Sequence, residues 1–118
     1  MATPAKCITV VAARALQDNW VATRQPEIDR TLNYQDAREV IYSVEELQEY
    51  LNYVKEESVK QGIANPGIRL YFAAYNTDAN NKATIFLAPT DGIAVGSNNI
   101  YTIQPFNHGM AGIPPFNY

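Results

Sequence analysis

The chain has 118 residues, 47% of them hydrophobic, and 12 Asp and Glu against 9 Lys and Arg, a net charge of −3. That suffices to bury a core, falls short of two ordinary domains, and is too acidic to follow a nucleic-acid backbone. Cys7 has no partner for an internal disulfide, residues 1–6 form no apolar leader, and no apolar run nears the ~18 residues of a membrane span; the expectation is a soluble, cytoplasmic protein.

In chain order, Thr9 can cap a first helix that runs to about Arg24 and stops at Pro26. Ala12, Ala13, Leu16 and Trp20 share one face of it, with Trp20 the expected packing anchor. Residues 25–36 hold Ile28, Leu32 and Tyr34 among charged and polar groups without a sustained period, and read as a connection. Ala37–Tyr42 reads as a strand, because Val40, Ile41 and Tyr42 favour extended backbone.

Ser43–Gly62 is the strongest helix signal. Ser43 with Glu46 makes a capping box, and Gly62 supplies a left-handed stop. At about 100° per residue, Val44, Leu47, Leu51 and Val54 form the buried stripe, with Tyr50 on its edge, Ser58 near its middle and Tyr53 far enough around to be exposed. Five Glu against two Lys place the whole net charge on this helix, in an order that follows its macrodipole. A solvated face accounts for them; docking of a basic partner is the alternative.

Asn65-Pro66-Gly67 is a turn that launches a strand, Ile68–Tyr75, in which Ile68, Leu70, Phe72 and Ala74 are expected to face the helices. Tyr71 and Tyr75 then form an aromatic strip on the reverse side. The loop 76–81 leads into a partner strand, Lys82–Ala88, closed by Pro89. A last strand, Ile100–Gln104, precedes a Gly- and Pro-rich tail in which Phe106, Met110, Ile113, Phe116 and Tyr118 are too apolar to stay solvated. The expected fold is α+β: a two-layer sandwich in the order α-β-α-β-β-β, two helices on one face of a small, mostly antiparallel sheet. Residues 1–105 form one domain in this reading, and 106–118 a tail docked on the domain or on a partner subunit.

No constellation of recognised spacing carries chemistry. His108 is the one candidate acid or base, with Asp36 or Glu39 as a charged companion. Asn76, Asp78 and Asn80 imitate alternate ligands of a calcium loop but lack its glycine and its terminal Glu, and 92–97 lacks the lysine of a phosphate loop. Nothing calls for a metal or a cofactor. The informative excess is eight tyrosines, a residue that recurs at contact surfaces.

Three functions follow from these residues. The first is a non-catalytic interaction protein, self-associating through Tyr71, Tyr75 and Tyr101 and the tail residues Phe106, His108, Phe116 and Tyr118, with Tyr53 as a test position on the helix. The second is a small-ligand domain with a pocket between sheet and tail, lined by Tyr71, Tyr75, Tyr101, Phe106 and His108. The third is an enzyme working through His108.

Overall fold

Helices form here where the chain supplies an end signal. The computed structural model describes residues 1–118 and contains α1 (Val10–Thr23), α2 (Gln25–Leu32), α3 (Val44–Lys60), β1 (Gly67–Ala74) and β2 (Ala83–Thr90). Two compact units emerge, 1–36 with 112–118, and 37–111. No helix is long and apolar enough to cross a membrane.

In the first unit Thr9 caps α1 by accepting the Ala12 amide at 3.0 Å, as the sequence implies. The connection expected over 25–36 is instead largely helix. Pro26 falls in the first turn of α2, where its missing N–H costs nothing, and Asn33 ends the helix in the left-handed conformation at φ 62°. Pro26 thus starts one helix as well as bounding the other.

This unit is held by polar groups. No residue of α1 is buried, and Trp20 remains 37% exposed rather than serving as a core anchor. Its indole N–H donates to the Gln25 Oε1 at 3.2 Å. The buried Gln25 amide then donates to Asp29 Oδ1 at 2.8 Å and to the Asp36 carbonyl at 3.1 Å. Asp29 Oδ1 also accepts the Asp36 amide at 2.9 Å. The end of the chain lies along α1: the Tyr118 amide donates to Gln17 Oε1 at 3.0 Å, and the Arg14 guanidinium stands 6.0 Å from the Tyr118 ring centroid.

The second unit joins α3 to a two-stranded antiparallel sheet, so the α+β class stands. Both halves of the Ser43–Glu46 capping box form. At the far end Gly62 adopts φ 73°, its amide donates to the Val59 carbonyl, and the Ile63 amide reaches back to Ser58 at 2.9 Å, a Schellman closure. The buried stripe is Tyr50, Val54 and Ser58, with Leu47 and Tyr53 half-buried, whereas Val44 and Leu51 are exposed. Relative to expectation the helix is rolled toward its tyrosines.

β1 and β2 pair in the register Leu70 to Leu87, Tyr71 to Phe86 and Phe72 to Ile85. Pro89 lies inside β2, buried, where its ring nitrogen points away from β1 and its carbonyl accepts the Ile100 amide at 2.9 Å. The expected order with four strands is not found, since the sheet has two. Ala37–Tyr42 contributes only a single bridge, Ile41 to Met110, and Ile100–Gln104 is a turn closed by the Ile103 amide on the Ile100 carbonyl. Extended propensity makes a ladder only where a partner strand runs alongside, and in the first of these segments the bridge is confined to Ile41. Ile100 and Ile103 leave the sheet to enter the core with Tyr50, Val54 and Leu87. Of the helices, α3 alone belongs to the unit that contains the sheet; α1 and α2 belong to the other.

Two stability outcomes follow. The Ser58 hydroxyl is fully buried with no hydrogen-bond partner, so Ser58→Ala should leave stability unchanged or raise it by about 1 kcal/mol in denaturant unfolding. Gln25→Ala should lose about 2 kcal/mol from the first unit, because the Asp36 carbonyl and one Asp29 oxygen lose a donor in a buried setting; a fall in the thermal midpoint of helix ellipticity measures it.

Candidate functional site

The sheet has two sides, and the chain treats them differently. Cross-strand register puts Ile68, Leu70 and Phe72 on the same side as Pro89, Leu87 and Ile85, the side that packs beneath α3. Arg69, Tyr71, Ala73 and Tyr75 occupy the reverse side with Ala88, Phe86 and Thr84.

On the reverse side the tyrosines are closed over by the chain itself. Tyr71 stacks on Phe86 with ring centroids 4.9 Å apart, and its hydroxyl accepts from Asn99 Nδ2 at 2.8 Å. That hydrogen bond, with help from Arg69, holds the Tyr71 phenol below its usual pKa. Arg69 is tied to Asn99 Oδ1 at 2.6 Å and to the carbonyls of Val95 and Ser97 at 2.9 and 3.0 Å. Tyr75 donates to Asn107 Oδ1 at 2.6 Å, and the Asn107 amide donates to Thr84 and to the Ile85 carbonyl. Both tyrosines are half-buried. The loop 91–99 and the segment at 107 form the roof.

On the helix side the fixed point is Tyr50. Its ring stacks on Phe106 at 4.7 Å, and its hydroxyl proton is shared between the Gln104 carbonyl at 2.9 Å and the Leu87 carbonyl at 3.2 Å. Phe106 exchanges two backbone hydrogen bonds with Leu87 at 2.9 Å each, and Tyr42 tilts against the Phe106 ring with centroids 5.0 Å apart. Gly109 lies so close to Val40 and Tyr42 that any Cβ would strike them, which is why the chain can pass here to its Met110 bridge with Ile41. Tyr53, expected to be free, is half-buried and accepts the Gln104 amide at 3.2 Å.

These contacts hold α3 over β2 and the returning segment 104–106. On the helix side of β1, Ile68 is half-buried against the core, whereas Leu70 and Phe72 are left uncovered, 62% and 88% exposed. β1 is also an edge strand, with β2 its one neighbour in the sheet.

The remaining candidates fall in both units. Tyr101 is 90% exposed on the turn after Ile100. Phe116 and Tyr118 are exposed and belong to the first unit. His108 is exposed at φ 60° in the second unit, whereas Asp36 spends its backbone groups inside the first. Phe106 lies on the helix side and Tyr71 and Tyr75 on the reverse side, so these three do not line one pocket. Two shallow clefts flank Tyr53 instead. One, of about 450 Å³, runs past Glu45, Glu49 and Glu56; the other, of about 380 Å³, past Glu46, Glu49 and Phe106. They offer carboxylates and a phenol but enclose nothing. The tip at 76–81 is a local turn in which Thr77 and Asn80 bond each other, and no group of three or more His, Cys, Asp or Glu gathers to hold a metal.

The exposure of Leu70 and Phe72 was missed from sequence because their alternation correctly assigned them to the helix side, while the lateral placement of α3 depends on Tyr50. A search against protein-family models, curated proteins and solved structures finds no match for the chain.

Burial pushes the Tyr50 phenol up to about 12, with Tyr53 beside it adding to the rise. The neutral ring is therefore favoured by folding. Its contribution is complete below pH 10.0, the ordinary value, and is lost as pH climbs from there through about 12. Tyr50→Phe should flatten that alkaline loss and cost about 1–2 kcal/mol at neutral pH, through the two carbonyls left without its proton. Urea unfolding followed from neutral pH to about pH 11 reads both effects.

Proposed function

We propose that this is a non-catalytic interaction protein that self-associates, and that its contact surface is the exposed helix side of β1. The carrying observation is Phe72, 88% exposed next but one to Leu70 on an edge strand. A large aromatic left bare beside a second bare aliphatic group, on a rigid hairpin, marks a contact surface. Charge supports the choice, since no Asp, Glu, Lys or Arg shares that side of β1: Ile68, Leu70, Phe72 and Ala74 are its members. Tyr71 and Tyr75 take the other role, their hydroxyls engaged by Asn99 and Asn107. An enzymatic reading lacks a comparable observation, His108 being an exposed side chain at φ 60°.

In sedimentation equilibrium the wild-type mass should rise with concentration to at least that of a dimer. The double variant Leu70→Ser, Phe72→Ser should stay monomeric while its own stability changes by no more than about 0.5 kcal/mol per site, as at other exposed positions. A wild-type protein that is monomeric throughout the range removes the proposal.

A further inference from the structure

We infer that the partner at this surface is a second copy of the chain whose β1 pairs antiparallel with β1 about a two-fold axis at Tyr71; the inference rests on the self-association reading and specifies its geometry. The first support is hydrogen-bond parity. The Tyr75 amide donates to the Lys82 carbonyl at 3.1 Å, which continues the ladder one residue beyond the Ala74 to Ala83 pair. Because inward and outward pairs alternate in an antiparallel ladder, Arg69, Tyr71 and Ala73 turn their N–H and C=O groups toward β2. Ile68, Leu70, Phe72 and Ala74 turn theirs outward. The same phase is visible on β2, where Leu87 turns away from β1 to bond Phe106.

The outward backbone groups thus belong to the four residues whose side chains form the uncharged helix side. An axis at Tyr71 opposes Leu70 to Phe72 of the other copy and Ile68 to Ala74, so every outward residue finds an outward partner. Each exposed Phe72 meets an exposed Leu70, and each large Ile68 meets a small Ala74. Moving the axis to Leu70 leaves Ala74 without an opposite number in the strand, and moving it to Phe72 does the same to Ile68. The edge is its own complement, which is the property an isologous interface requires.

Nothing at the edge opposes this pairing. Natural edge strands are blunted by charge, proline or a bulge, and β1 has an unbroken register without proline. Its one charge, Arg69, is held on the reverse side by Asn99 and by the Val95 and Ser97 carbonyls. Pairing would join two hairpins into one sheet across the axis.

Residue-resolved amide exchange on the wild-type chain, measured where it is monomeric and where it is nine-tenths associated, tests the pairing. The amides of Ile68, Leu70, Phe72 and Ala74 should exchange about tenfold more slowly in the associated sample, in proportion to the monomer left. Those of Tyr71 and Ala73, already bonded to β2, should change less. If the chain associates and the four outward amides gain no protection, this pairing is overturned while self-association stands. If the chain never associates, both fall.

Discussion

The second unit depends on how Tyr50 is held. Its ring lies on Phe106, and its hydroxyl reaches two carbonyls, that of Leu87 on β2 and that of Gln104 on the returning chain. An aromatic residue with a polar tip is suited to such a point, because it can bury area against the sheet and still satisfy backbone acceptors beneath it. Leu87 gains most: its carbonyl receives both the Phe106 amide and the Tyr50 hydroxyl. The helix is thereby tied to the side of the sheet away from β1.

The uneven surface of the hairpin follows from that tether. With α3 anchored over β2, the core closes around Val54, Leu87, Ile100 and Ile103, with Ile68 at its margin, and the outer strand keeps β2 as its one partner strand. The reverse side is closed by a different device. Side-chain amides from two distant loops, Asn99 and Asn107, cap the Tyr71 and Tyr75 hydroxyls, and Arg69 anchors the first of those loops by three hydrogen bonds. The polar side is satisfied within the chain and an apolar one is left open.

Much of the local structure was legible. The capping box at Ser43, the Gly62 stop, the Thr9 cap and the β1–β2 hairpin are all signals carried by neighbours in sequence, and all form. The helical stripe was read one step off, because Val44 and Leu51 count as apolar in a periodicity, whereas burial follows the Tyr50, Val54 and Ser58 row that meets Phe106 and Leu87. The short α2 was legible after the fact from Pro26 in its first turn, the Glu27–Arg30 ion pair and Asn33 beyond its end. The roles of the tyrosines were not. Whether a phenol on a strand is free depends on a donor such as Asn99 or Asn107, about thirty residues away, and on the route by which an irregular chain delivers it.

The two units also rest on different chemistry, an aromatic and aliphatic core in one and the Trp20, Gln25, Asp29 and Asp36 network in the other. The central claim is that α3 roofs β2 and leaves Leu70 and Phe72 of β1 open. Hydroxyl-radical footprinting of the dilute monomer, read side chain by side chain, tests it most directly. The account expects Phe72 to be oxidised rapidly, with Tyr101 as the exposed standard, while Tyr50 and Tyr71 react slowly. Phe72 protected as fully as Tyr50, with Tyr71 reacting freely, would contradict it.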